Sequence, residues 1–315
     1  MSDLISVIVP YHNDGDIILD SVGRLLNIPN VEVIVVDDGS VIPVTPLVAI
    51  TDNVRIIRHS RNLGVGAAFD RGVREARGET ILLMGCDVMV LPDWKWHVER
   101  LAKEHPRGII AAACIGVTPD NGYQFLNEPR AGAEIRLIQH ASSRDKWYAE
   151  RNYNDILVGA WLDPPAMEFQ KCGCLMGAAY VVNKRWYTHI GGFRLFDGWG
   201  GLEPYISLKS YLAGGYVGVE PEWQVGHVFG INNGERDPMK RRAGRLDKYY
   251  FNKLMIAHTC LPDRAKELDQ FLGNAYAIGM GRQLLKQRWG EIRRAYEYNQ
   301  SIFTRSFEEV VSLLN

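Results

Sequence analysis

Three short apolar runs, each broken off by polar or acidic residues, constrain this chain more than any other feature. Thr80–Met84 is nearly all apolar and leads into Gly85, Cys86 and the carboxylate of Asp87. Leu4–Val9 stops at Pro10 and continues as Tyr11-His12-Asn13-Asp14. Val31–Val36 ends in Asp37-Asp38-Gly39-Ser40. Continuous apolar runs of this length fit strands buried on both faces of a parallel sheet. Pro10 lacks the N–H that a central ladder needs, so the first strand is expected to end before it. Ligands of open α/β sheets sit beyond the carboxyl ends of the strands, so the three polar endings are expected to share one rim. Taken singly, each ending reads equally well as a turn, with Asp87 capping the next segment.

The intervening segments agree with such a sheet. Asp14 or Asp16 can cap a helix in which Ile17, Ile18, Val22, Leu25 and Leu26 recur at helical spacing through Asn27. Pro43 and Pro46 mark an irregular connection, and Val54–Ile57 is a further strand. Arg61-Asn62-Leu63-Gly64-Val65-Gly66 leads into a second helix with Ala67, Ala68, Val73 and Ala76 inward and Gly78 just past its end. Strand, helix, strand, short crossover, strand, helix, strand is the order of a doubly wound parallel sheet. Gly64-x-Gly66 does not follow the first strand and lacks a third glycine, which excludes a Rossmann dehydrogenase fingerprint.

A chain of 315 residues suffices for one large domain or two modest ones, and 46% hydrophobic with 23% charged residues can bury a sizeable core. The net charge of −1 argues for neither nucleic acid nor an anionic membrane as a partner. No apolar run approaches the ~20 residues of a membrane span. Met-Ser-Asp-Leu does not open a secretory signal peptide. Cys86, Cys114, Cys172, Cys174 and Cys260 are odd in number and contain no CxxC pair, so reduced thiols and a cytoplasmic location are expected. Cys172-Gly-Cys174 lacks a second Cys/His pair at finger spacing and reads as packing.

Ile-Val-Pro-Tyr-His-Asn, Val-Val-Asp-Asp-Gly-Ser, Arg-Asn-Leu-Gly-x-Gly-x-Ala and the Asp87 segment resemble, in order and spacing, the motifs of GT-A fold nucleotide-sugar glycosyltransferases. The likeness is to glycosyltransferase family 2 and covers about Leu4–Trp94. It implies an α/β GT-A fold: a Rossmann-like, mostly parallel mixed sheet flanked by helices, here with a C-terminal helical extension. It also implies that Pro10, Tyr11 and Asn13 wall the nucleotide base. Asp38 would bond the uracil edge or ribose, and Arg61, Asn62 and Gly64 would line base and ribose. Cys86 stands beside the donor in the metal motif. That motif is usually Asp-x-Asp; here it reads Gly85-Cys86-Asp87, leaving Asp87 as the metal ligand and a second protein ligand to be found.

Gly108–Val117 reads as another strand. Asp120–Pro165 mixes polar residues with aromatics (Asn127, Arg136, His140, Arg144, Asp145, Trp147, Tyr148, Trp161), which suits an acceptor-binding face or an ordinary surface loop. The run from Lys171 to Arg185 resembles the strand that walls the donor sugar, with Gly177 and Ala178 allowing close approach. Gly191-Gly192-Phe193 resembles the family's turn. Trp199-Gly200-Gly201-Leu202-Glu203 resembles its Trp-Gly-Gly-Glu-Asp motif, which places Glu203 as the general base and Trp199 as a flat face for a sugar ring. Glu203 also reads simply as a first-turn acid favoured by the helix dipole. Val225-Gly226-His227-Val228-Phe229 resembles a motif of the polypeptide N-acetylgalactosaminyltransferases whose histidine binds the metal, and makes His227 the second ligand. The basic loop of Asn232–Lys248, with Arg242 in it, would close over the diphosphate. From about Leu246 to Asn315 the periodicity is helical, suiting helices packed on the core or a homodimer contact.

The resemblance thus implies a metal-dependent (Mn²⁺ or Mg²⁺) transferase moving sugar from a nucleotide sugar, expected to be UDP-linked, to the hydroxyl of a glycan or other acceptor. Inversion follows if Glu203 is the base, although the histidine motif resembles retaining enzymes. The expected division is a GT-A domain over 1–232, with a nucleotide half to about 117 and an acceptor half after it, and then the basic loop and helical extension over 233–315. Nucleotidyl transfer lacks its Gly-rich basic loop after the first strand. An inactive nucleotide- or sugar-binding module is suggested by Gly85 and Leu202 replacing family acids, and a DNA-base acceptor by the basic loop.

Overall fold

Both faces of the central strands are buried, and their side chains alternate between two cores. In the strand β1 (Ile5–Tyr11), Ile8 joins one core, while Ile5, Val7 and Val9 join the other. In β2 (Val31–Asp37), Ile34 and Val36 face the first core, and Val31, Val33 and Val35 face the second. A strand covered on both sides needs no polar face, which is why these runs are continuously apolar. The computed structural model describes residues 4–44, 51–118, 124–125, 128–140, 154–198, 200–228 and 246–314.

The second core is closed by α1 (Ile17–Gly23) and α3 (Trp94–Glu104), through Ile18, Val22, Trp94, Val98 and Leu101. The first is closed by α2 (Val65–Glu75), α4 (Lys184–His189) and α5 (Leu202–Leu212). The C-terminal helices α6 (Leu246–Cys260), α7 (Pro262–Leu272), α8 (Tyr276–Gln287), α9 (Trp289–Ile302) and α10 (Phe307–Leu314) follow. Phe251, Leu254, Met255 and Ile256 of α6 belong to the same core as Ile8 and Ala68, so the tail packs on the sheet domain. No helix among the described residues is long and apolar enough to cross a membrane.

β3 (Val54–Arg58), β2, β1 and β4 (Thr80–Met84) run parallel at one side of the main sheet. Next to β4 lies β11 (Ala179–Asn183), antiparallel both to it and to β6 (Gly108–Thr118). β12 (Tyr216–His227) runs parallel to β6, and the two-residue β10 (Gln170–Lys171) closes that edge. The short β5 (Val88–Val90) pairs with the far end of β12, and β7 (Gln124–Phe125) with the end of β6. β8 (Ala133–Gln139) and β9 (Asp155–Trp161) form a separate antiparallel pair. The mixed, mostly parallel sheet flanked by helices is the fold class expected.

Several expectations at the level of elements need correction. β1 runs through Pro10 to Tyr11. The Tyr11 carbonyl accepts from Asp38 N just beyond β2, so alternation turns the imide of Pro10 towards β4. The β4 ladder has already ended at Ile8, and no N–H is missed there. The first helix stops at Gly23, and Asn27 sits at φ +57. Lys171–Arg185 is not one strand: it breaks between β10 and β11 around Gly177, at φ +113. Tyr216–Val219 and Val225–His227 are the two ends of one strand, joined by a bulge between Glu220 and Gln224. The excursion after β6 holds the β8–β9 pair. Asn127, Arg144, Asp145, Trp147 and Tyr148 lie outside the described residues.

Candidate functional site

The ends of β1, β2 and β4 meet at one edge of the sheet, and the loops beyond them are tied by polar side chains. His12 Nδ1 lies 2.9 Å from the Asp38 carbonyl. Asn13, at φ +57, donates its N–H to Ser40 Oγ (3.1 Å) and accepts at Oδ1 from Val41 N (2.8 Å). Asp37 accepts from Ser40 N (2.8 Å) and Arg58 Nη1 (2.7 Å) and so holds its own loop. The Asp38 carboxylate is buried. It accepts from Leu63 N (2.9 Å) and Gly64 N (2.7 Å) and meets His59 Nδ1 at 2.7 Å. Its two oxygens therefore shape the Arg61–Gly64 loop, which carries Arg61 exposed and Asn62 half-buried. Gly64, at φ +97, approaches the segment before α5 so closely that a Cβ would lie 2.5 Å from Gly198 N.

Asp87 and His227 come together through backbone register. β12 places His227 opposite Val88 of β5, and Val228 N donates to the Asp87 carbonyl at 3.0 Å. His227 Nε2 then lies 3.4 Å from Asp87 Oδ2, with both side chains partly exposed. One carboxylate oxygen and one imidazole nitrogen form a donor pair suited to a divalent ion such as Mn²⁺. Among the described residues no group of three His, Cys, Asp or Glu could hold a metal. Gly85, where the family has an acid, is crowded: a Cβ there would lie 2.6 Å from Asp87 Oδ1. Cys86 is buried, and burial, with the charges of Asp14 and Asp87, pushes its thiol well above the ordinary range. It is a neutral packing group rather than a thiolate donor.

The β4 turn touches the segment proposed to wall the donor sugar. Gly85 N donates to the Ala178 carbonyl at 3.0 Å. A Cβ on Gly177 would meet Cys114 Cβ at 3.5 Å and the Trp161 ring at 3.7 Å, so that ring flanks the same spot. The Tyr180 hydroxyl donates to the Gly177 carbonyl at 2.8 Å and lies 3.4 Å from Glu203 Oε1. Glu203 stands in the first turn of α5, after Gly201 at φ +85. Enclosure by protein raises its carboxyl, while its own backbone N–H, the Tyr180 hydroxyl and the Lys253 charge pull the other way. A half-buried acid whose carboxyl is raised by enclosure suits a proton acceptor.

Pro10, Tyr11, Asn13, Asp38, Arg61, Asn62 and Gly64 thus gather around the ends of β1 and β2. Asp87, His227, Cys86, Gly177 and Ala178 gather around the β4 turn, and Glu203 joins them through Tyr180. Trp199 and Arg242 lie outside the described residues. Reading the sequence missed His59, which seats Asp38, and Lys253, buried in α6 with its stem beside Gly201 at the start of α5. His59 stands two residues before the Arg-Asn-Leu-Gly motif and could have been flagged; Lys253 carries no motif.

Residues 6–159 match Glycosyl transferase family 2. Polypeptide N-acetylgalactosaminyltransferase 10 of Rattus norvegicus is 26% identical over 238 residues, 71% of this chain and 37% of that protein. The chain spans about two fifths of the length of such curated relatives. Among solved structures, GalNAc-T7 with UDP, GalNAc and Mn²⁺ aligns over 99% of this chain and 57% of its own, with TM-score 0.74 at 16% identity. The mannosyltransferase PcManGT of Pyrobaculum calidifontis, in complex with GDP-Man and Mn²⁺, aligns over 100% and 84%, with TM-score 0.51 at 16% identity. Sheet order, strand-end motifs and these likenesses agree: the chain has a GT-A fold, and its residues 6–159 are similar to glycosyltransferase family 2.

Proposed function

We propose that this protein is a metal-dependent glycosyltransferase that takes a sugar from a UDP-sugar and passes it to an acceptor hydroxyl. The observation that carries the reading is the meeting of Asp87 and His227 at 3.4 Å on the carboxyl edge of the sheet. Pro10, Tyr11 and Asn13 would wall the base, and the loop seated on Asp38 would line the ribose through Arg61, Asn62 and Gly64. Gly177 and Ala178 would let the donor sugar lie against backbone beside Cys86. Asp87 and His227 would hold Mn²⁺ or Mg²⁺; the bound ion would offset negative charge on the leaving diphosphate. Glu203 would accept the acceptor's proton as its oxygen attacks the anomeric carbon, giving inversion. Trp199 and Arg242 keep the sugar-face and diphosphate roles implied by their motifs. The acceptor is a glycan or another hydroxyl-bearing molecule. Five free, buried cysteines suit a reducing compartment such as the cytoplasm.

The test is calorimetry with UDP in the presence and absence of Mn²⁺. Binding that needs Mn²⁺ is expected, and Asp87→Asn and His227→Ala should each remove it. UDP affinity unchanged by metal and by both substitutions would sink the reading.

A further inference from the structure

Asn252 lies in the middle of α6 and is 0% exposed. Asparagine is a poor helix former, and a buried amide needs partners to offset its lost hydration. Partners are supplied by the loop before α5. Asp197 N donates to Asn252 Oδ1 at 2.9 Å, and Asn252 Nδ2 donates to the carbonyls of Asp197 (2.8 Å) and Gly200 (3.4 Å). The pair of bonds with Asp197 copies the exchange between two residues of an antiparallel ladder. The same side of α6 follows the loop along its length. Lys248 Nζ meets Asp197 Oδ1 at 2.6 Å, and a Cβ on Gly198 would lie 3.3 Å from Lys248 Cδ. The Tyr249 ring leaves no room for a Cβ on Gly200, and a Cβ on Gly201 would lie 3.4 Å from Ile256 Cδ1. Lys248, Asn252 and Ile256 recur at helical spacing, so they stand in line along the helix. Arg288, between α8 and α9, brings a further cation 3.2 Å from Asp197 Oδ2. Gly198, Gly200 and Gly201 all sit at positive φ. Glycines so close together leave the loop little shape of its own, and the shape is set from outside.

We propose that Asn252 is a positioning residue for glycosyl transfer: its side-chain amide fixes the loop from which α5 starts, and so holds Glu203 where it can take the acceptor's proton. The inference rests on the reading of Glu203 as the base. Gly201 is the residue before α5 and Glu203 stands in its first turn, so a shift of the loop reaches the carboxylate through the backbone. A misplacement of about 1 Å can lower a rate on the order of 10²-fold. The ion pairs of Lys248 and Arg288 with Asp197 are partly exposed, and pairs of that kind contribute little in water. The buried amide is different: removing it takes hydrogen-bond partners from the Asp197 N–H and from the Asp197 and Gly200 carbonyls at once.

The experiment compares wild type with Asn252→Ala. Mn²⁺-dependent hydrolysis of UDP-glucose, UDP-GlcNAc and UDP-GalNAc should lose at least about tenfold in kcat. Mn²⁺-dependent UDP affinity by calorimetry should stay at the wild-type value, since Asp38 seats the Arg61–Gly64 loop from the other side. Hydrogen exchange read by mass spectrometry should quicken in peptides covering Asp197–Glu203 and stay unchanged in β1 and β4. Joint loss of turnover and UDP affinity, with faster exchange throughout the sheet, would assign Asn252 to packing alone and overturn the proposal. Wild-type kcat in a folded Asn252→Ala would overturn it too. A further measurement needs no variant to fold. In the wild type the Asp197 amide, closed by a buried side-chain carbonyl, should exchange as slowly as amides of the core. Free exchange at Asp197 would sink the anchor itself. No hydrolysis of any donor by the wild type, with exchange quickened at Asp197–Glu203 in Asn252→Ala, would remove the transferase reading and leave the anchored loop standing.

Discussion

Asp87 could be singled out by its place, since an acid directly after a buried parallel strand stands where α/β sheets bind ligands, but only the motifs around it separated a metal ligand from a turn. Its partner could not be found that way. His227 ends a strand whose bulge is invisible in the residues, and only a motif likeness pointed to it. The crowding at Gly85 was equally hidden: as the turn stands, a Cβ there would lie 2.6 Å from Asp87 Oδ1. Restoring the acid should therefore harm the site. Gly85→Asp is expected to displace the Asp87 carboxylate and weaken Mn²⁺-dependent UDP binding by about tenfold; tighter binding by calorimetry would refute this. Glu203→Gln keeps the shape of the side chain and removes the proton acceptor. It should leave UDP binding intact and lower turnover by roughly 10² or more, the usual size of such a loss. Near-normal turnover would take Glu203 out of the chemistry.

Among the elements, the central strands were legible because they are buried on both faces, and short apolar runs without a polar face suit few places other than the middle of a covered sheet. The helix α6 was legible only as a helix. Eleven of its fifteen residues are buried, so no single face announces what it packs against. That is why Lys253 drew no attention: polar residues inside an all-round buried helix look like breaks in a pattern. A different buried charge ties the sheet to the segment just after α2. Glu32 on β2 accepts from Ser6 Oγ (2.6 Å), from Arg77 N (2.6 Å) and Nε (2.9 Å), and from Arg55 Nη2 (3.2 Å). Burial pushes its carboxyl up, but these hydrogen bonds more than offset that and hold it below the ordinary value of 4.5. A depressed carboxylate contributes stability above its unfolded value and loses it as pH falls through the folded one. Denaturant melts should show Glu32→Gln less stable by roughly 2 kcal/mol at pH 7, with the gap to wild type closing below about pH 4. A gap independent of pH would show that the charge of Glu32 contributes nothing.

For the molecule as a whole, the tail helices are continuous with the core of the sheet domain. Deleting residues 246–315 would open the core that Phe251 and Leu254 share with Ala68 and Tyr205 of the sheet domain. The shortened chain is expected to lose its cooperative thermal transition by circular dichroism. A sharp melt near that of the full chain would show that the sheet domain stands alone. The bulge between Glu220 and Gln224 matters for how the chain tolerates a change in length. Beyond it, the position of His227 is dictated by its neighbours in β5 and β6, not by the number of residues since β12 began. An insertion is therefore tolerated on one side and disruptive on the other. One extra residue between Pro221 and Glu222 should be absorbed, leaving the histidine beside Asp87. The same insertion between Val225 and Gly226 would turn His227 to the opposite face of the strand.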